Sequence, residues 1–148
     1  MKNFKDSKIL KQFAKTCSNM YRLGWDERNG GNVSLMLDDD VVNEYFAGAA
    51  VIRTISIGFN AKELAEKYFL VTGTGKYFKN VEEEPEVNLG VIRISASGTE
   101  AELVWGYSDG GKFTSELPAH LMSHIQRLKV NPANRVIMHS HPTNLVAM

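Results

Sequence analysis

Between Asp6 and Leu23 the apolar residues Ile9, Leu10, Phe13, Cys17, Met20 and Tyr21 recur at the spacing of one helix face. Asp6 or Ser7 is placed to cap the start of this helix, and Gly24 suits the left-handed position that follows a helix end. A loop from Trp25 to Asn32 comes next. Val33, Leu35 and Leu37 then alternate with Ser34 and Met36, which predicts a strand, with Asp38-Asp39-Asp40 as the turn that ends it. Residues 41–59 are weakly patterned, with a short strand expected between Val51 and Ile57. Asn60 is expected to cap a short helix reaching Tyr68. The run Tyr68-Phe69-Leu70-Val71-Thr72 predicts a buried strand that enters the glycine-rich turn Gly73-Thr74-Gly75-Lys76. Asn88 to Ser95 and Ala101 to Trp105 predict a hairpin around Ser97-Gly98. After the loop Ser108-Asp109-Gly110-Gly111, Thr114 or Ser115 caps a helix running to about Lys129, with Pro118 in its first turn and Leu117, Leu121, Ile125 and Leu128 as its apolar stripe. Arg135 to Ser140 is a last strand, closed by Pro142.

Helices and strands alternate without repeats, low-complexity stretches or a linker, which predicts one mixed α/β domain over residues 1–148. The final residues, Asn144-Leu145-Val146-Ala147-Met148, are apolar and uncharged. Domain ends are usually solvated, so the sequence reads as a domain truncated at its C-terminus.

Composition narrows the function classes. Hydrophobic residues make up 43% and charged residues 23%, the balance of a globular domain. Lys plus Arg (17) equals Asp plus Glu (17), so net charge gives no argument for nucleic acid or an anionic membrane. The single cysteine, Cys17, excludes an internal disulfide framework and is expected as a buried thiol. There is no signal-peptide pattern and no apolar run near the roughly 18 residues of a spanning helix. A cytoplasmic location is the expectation.

Four motifs carry candidate chemistry. His139-Ser140-His141 places two imidazoles at i and i+2, the same side of a strand, where both can reach one metal ion; imidazole suits zinc. Two polar residues on a sheet edge is the competing reading. Thr114-Ser115-Glu116 lies at a helix start, which attracts anions, or is a plain cap. Asn29-Gly30-Gly31-Asn32 allows close backbone approach to a ligand, or is a simple turn. Thr72-Gly73-Thr74-Gly75-Lys76 looks like a phosphate cradle but fits neither G-x-x-x-x-G-K-[ST] nor G-x-G-x-x-G. His120 and His124 are spaced i, i+4, but Leu121 stands where H-E-x-x-H needs glutamate, so they read as surface or packing histidines. Glu82-Glu83-Glu84 reads as a solvated face.

Taken in order, Gly24-Trp25-Asp26-Glu27-Arg28-Asn29-Gly30-Gly31-Asn32, Val71-Thr72-Gly73-Thr74-Gly75-Lys76, Trp105-Gly106, Thr114-Ser115-Glu116-Leu117-Pro118-Ala119-His120, Arg135-Val136-Ile137-Met138-His139-Ser140-His141 and Thr143-Asn144-Leu145 closely resemble the L-rhamnulose-1-phosphate aldolase family. These are class II enzymes of the sugar-phosphate aldolase and epimerase superfamily. The resemblance spans nearly the whole chain and is weakest at residues 39–66. It implies an α/β fold, an αβα sandwich around a largely antiparallel sheet with its C-terminal part missing, assembling as a homotetramer. It implies zinc-dependent retro-aldol cleavage of the phosphorylated ketose L-rhamnulose 1-phosphate to dihydroxyacetone phosphate and L-lactaldehyde, a step of rhamnose catabolism. His139 and His141 look like two of three zinc ligands, one Zn2+ per subunit, with the third histidine beyond residue 148. Glu116 looks like the catalytic acid/base. Asn29, Gly31, Asn32, Thr74, Thr114 and Ser115 look like the substrate-phosphate pocket; threonine at 74 stands where serine is common and keeps the hydroxyl. With the third ligand missing, the fragment alone is expected to be inactive. A sibling aldolase, epimerase or dehydratase is the nearest alternative, and the G-W-D-E-R-N-G-G-N string argues against it. A non-catalytic interaction domain, or an inactive fragment of the fold, is the alternative from another class. Against the interaction domain, His139, His141 and Glu116 are all retained.

Overall fold

In a computed structural model, described for residues 3–22, 32–74, 80–131 and 135–139 (the backbone alone for 139), helix α1 spans Lys8–Arg22. Ser7 supplies its cap: the hydroxyl accepts from the Leu10 amide at 3.2 Å. Leu10, Phe13, Ala14, Cys17 and Met20 form its buried face, so Cys17 is a buried thiol as expected, while Tyr21 is exposed. Gly24 lies outside the described residues. Just upstream, Phe4 anchors the N-terminal segment against Phe46, Trp105 and Tyr45, with ring centroids 4.9, 5.1 and 5.6 Å away.

Among the described residues six strands follow: β1 (Asn32–Met36), β2 (Arg53–Ser56), β3 (Tyr68–Thr72), β4 (Leu89–Ile94), β5 (Glu100–Gly106) and β6 (Val136–His139). They form one sheet in the order β2-β5-β4-β3-β1-β6, and every neighbouring pair is antiparallel. The helices beside them are α2 (Asp39–Tyr45), α3 (Pro85–Asn88) and α4 (Leu117–Val130).

The sheet is covered on both faces. Residues of α1, with Phe4 and Phe46, pack on Val33, Leu70, Leu89, Val91 and Val104. On the other face, Leu117 and Leu121 of α4 pack with Met36, Phe69, Val71, Ile92 and Leu103. Successive residues of a strand point to opposite faces, so Leu70 serves one core while Phe69 and Val71 serve the other. This is why β3 reads as an unbroken apolar run. Each such side chain contributes on the order of 1.5–3 kcal/mol through burial. The result is the αβα layering and antiparallel sheet that the sequence implied.

Three local expectations are corrected. Asp38-Asp39-Asp40 is not a turn that ends β1; Asp38 caps α2, its Oδ1 accepting from the Val41 amide at 3.0 Å. Asp39 and Asp40 then sit in the first turn, where the helix dipole favours acids. Asn60 to Tyr68 forms only a single 3-10 turn, Lys62–Leu64, although Asn60 does accept from the Lys62 amide at 2.9 Å. Finally, α4 begins at Leu117, with Glu116 in the cap position and no side-chain cap bond from it. Thr114 acts two residues earlier, its hydroxyl accepting from the Glu116 amide at 3.3 Å.

The β5 end is built on close backbone approach. Gly90 and Gly106 lie opposite each other in the sheet. Gly106 has φ +90°, and a Cβ there would come within 2.2 Å of the Leu89 carbonyl oxygen. At Gly90 a Cβ would overlap the Tyr107 ring at 2.3 Å. Tyr107 itself is buried, with φ +46°, and its hydroxyl donates to the Val71 carbonyl at 2.9 Å. Burial pushes that hydroxyl well above its ordinary range, so it remains a donor.

Candidate active site

Thr72, the last residue of β3, ties three segments together. Its hydroxyl accepts from the Val33 amide at 3.1 Å, and its carbonyl accepts from the Thr114 amide at 3.0 Å. Gly73 bridges Phe113, and the Thr74 amide donates to the Lys112 carbonyl at 2.9 Å. The glycine-rich turn after β3 therefore starts against the segment that leads into α4. Thr74 and Thr114 come into one neighbourhood; Thr114 is buried, Thr74 half-buried and Ser115 exposed.

Glu116 stands at the start of α4, and its carboxylate accepts a hydrogen bond from the buried Asn32 side-chain amide at the start of β1. The carbonyl end of the same amide meets His120 Nε2, one turn further along α4. His120 Nδ1 lies 2.6 Å from the Ser34 hydroxyl, and that hydroxyl lies 2.8 Å from His124 Nε2. Both histidines are buried, and His124 packs on Phe69 with ring centroids 4.9 Å apart. They are packing histidines rather than surface ones. The sequence carried a partial signal for them: the i, i+4 spacing gives them one helix face, and Ser34, like Asn32, is a polar residue on the α4 side of β1.

The β1–β6 register sets position 139 directly opposite Asn32. The strand carrying the H-x-H motif thus runs beside the residue that bonds Glu116. Asn29, Gly31 and His141 lie outside the described residues, as does the side chain of His139. Among the described residues no group of three or more His, Cys, Asp or Glu side chains gathers in a way that would hold a metal. In the sequence, His139 and His141 are two imidazoles two positions apart, a donor set that fits a zinc ion by ligand type. A cleft of about 170 Å³ opens here, lined by Asn32, Glu116, Ala119, His120, Ile137 and Met138 among others. A larger groove of about 450 Å³ lies between α4 and β6, lined by Met122, Arg127, Val136 and Met138 among others; it shares Met138 with the cleft but is not lined by Glu116.

Burial, helped by repulsion from His120, lowers the pKa of His124 from 6.5 to about 4. The unfolded chain takes up a proton near pH 6.5 that the folded chain refuses until about pH 4. This contribution to stability is complete above pH 6.5, declines as the pH falls towards about 4, and is absent below both values. Its ceiling is on the order of 3 kcal/mol. Urea melts at pH 7 and pH 4.5 check it: His124→Gln flattens the acid-side loss, and an unchanged loss in that variant assigns it to other groups.

A family model described as the class II aldolase and adducin N-terminal domain matches residues 11–148. This chain belongs to that family. Rhamnulose-1-phosphate aldolase of Listeria monocytogenes is 61% identical over 147 residues, covering 99% of this chain and 54% of the relative. The same-named protein of Enterococcus faecalis is 49% identical, covering 99% of this chain and 52% of the relative. This class II aldolase-family chain therefore spans about half the length of the curated relatives it matches. Among solved structures, a sugar-phosphate aldolase from Thermotoga maritima is 30% identical with a TM-score of 0.78, over 93% of this chain and 55% of that one. The αβα layering described above is thus the family's fold. No described helix is long and apolar enough to cross a membrane.

Proposed function

We propose that the full-length protein is a zinc-dependent class II aldolase that cleaves L-rhamnulose 1-phosphate to dihydroxyacetone phosphate and L-lactaldehyde. The observation that carries this reading is the 61% identity to a rhamnulose-1-phosphate aldolase along 99% of the chain. The Glu116–Asn32 contact beside β6 supports it from the structure. In this reading residues 1–148 belong to one aldolase domain, the enzyme is a cytoplasmic homotetramer, and this segment alone is inactive.

His139 and His141 hold the metal together with a histidine beyond residue 148. When bound, the ion supplies Lewis-acid stabilisation of the negative charge that develops on substrate oxygens. Glu116 moves the proton to and from carbon as the carbon–carbon bond breaks or forms. Thr74, Thr114 and Ser115, with Asn29, Asn32 and the Gly31 backbone, hold the substrate phosphate through neutral donors. That suits a chain without basic excess, and holding the remote phosphate positions the reacting end.

The test is cleavage of L-rhamnulose 1-phosphate by the full-length protein, with and without a chelator. The expected result is cleavage that the chelator abolishes and zinc restores. No cleavage by folded, zinc-loaded protein removes this substrate and turns attention to sibling sugar phosphates.

A further inference from the structure

A carboxylate can only accept hydrogen bonds, and that fact sets a direction along the whole chain of contacts behind Glu116. Asn32 must present its NH2 group to Glu116, so its carbonyl oxygen faces His120. His120 Nε2 must then carry the hydrogen. In a neutral imidazole this leaves Nδ1 bare, as an acceptor for the Ser34 hydroxyl. Having donated its proton to His120, the Ser34 oxygen accepts from His124 Nε2–H. The last atom, His124 Nδ1, is then a bare nitrogen. It is buried without a hydrogen-bond partner, the one such side-chain atom among the described residues. As the end of a directional chain it leaves no donor stranded, which accounts for an atom otherwise hard to place in a buried site.

We propose that Ser34, His120 and His124 form a neutral, one-directional hydrogen-bond relay that fixes the Asn32 carboxamide, so that its NH2 group orients Glu116 for catalysis. His120 is the central positioning residue. It acts through Asn32, and it locks the amide because only one tautomer satisfies both of its neighbours. The relay joins α4 to β1 and so holds the start of the helix at a set distance from the strand beside β6. The catalytic part of this inference rests on Glu116 as the acid/base, whereas the tautomer and the amide orientation do not.

The experiment uses full-length, zinc-loaded protein and has two readouts. Nitrogen-15 NMR of the histidine rings should find His120 with hydrogen on Nε2 and none on Nδ1. The reverse tautomer, or a doubly protonated ring at neutral pH, overturns the relay whatever the activity. Kinetics then test its purpose. His120→Leu should lower kcat about 10- to 100-fold, in the range of lost supporting hydrogen bonds, and by a larger factor than it raises KM through the share of Asn32 in holding the phosphate. His120→Gln, whose amide NH2 can still donate to Asn32, should recover most of that loss. A folded His120→Leu protein with unchanged kcat, or a His120→Gln protein as impaired as it, overturns the positioning role. A fully active Glu116→Gln protein would instead remove the acid/base reading and leave the tautomer result standing.

Discussion

Glu116→Gln in the full-length, zinc-loaded protein is expected to lower kcat about 10³-fold, within the usual range for a lost general acid/base. Zinc content and fold should be retained. Glutamine keeps the size and one oxygen acceptor, so the Asn32 amide can still donate to it, and the relay behind Asn32 is preserved. What is lost is the capacity to take up and release a proton. His139→Ala makes the complementary case: zinc content falls with activity. Metal analysis beside steady-state kinetics separates the two. A zinc-free Glu116→Gln protein would mean that Glu116 serves the metal rather than the proton.

The largest expected effect on stability is at Gly106. An alanine there must either hold φ near +90° or shift the end of β5, and its Cβ meets the Leu89 carbonyl oxygen at 2.2 Å and Gly90 Cα at 2.6 Å. Both obstacles are backbone atoms, so no side chain can swing aside. Strain of this kind and overpacking each cost about 1–3 kcal/mol, so Gly106→Ala should destabilise the fold by about 3 kcal/mol or more. Activity should fall as well. The Tyr107 ring that follows Gly106 covers Gly90 and bonds Val71, next to the Thr72 that holds Thr114. Denaturant melts check the first effect, and a loss below about 1 kcal/mol would show that the β4–β5 pair tolerates a larger separation than the structure has.

The sequence was most legible where one physical signal dominated. Tyr68–Thr72 is a strand with the bounds expected of it, because a run of apolar residues buried on both faces leaves few alternatives. The apolar face of α1 was equally plain. Residues 38–45 were not. Asp38-Asp39-Asp40 is chemically suited both to a turn and to a helix start, and α2, with no fully buried residue, has too little apolar periodicity to decide. At the candidate site, the sequence suggests different roles for Glu116 and Asn32, and nothing in their spacing reveals that they touch. That contact depends on β1 and α4 being brought together by Thr72 and the second core. The same holds for His120 and His124. A histidine pair on a helix acquires meaning only from what lies across from it, here a serine on β1.

The position of β1 in the sheet also bears on how the molecule comes together. β1 is formed early in the chain, yet it lies between β3 and β6, and β6 comes from the far end of the described sequence. During synthesis one edge of β1 waits for its partner until residues 136–139 have emerged. The β1–β6 seam closes the longest loop in the sheet, so its entropic cost is met late in folding. That seam is where Asn32 stands opposite position 139. A nascent chain that has emerged as far as Gly106 thus holds all of β3, β4 and β5 while the β1–β6 seam, and with it the chemistry of the site, is not yet assembled.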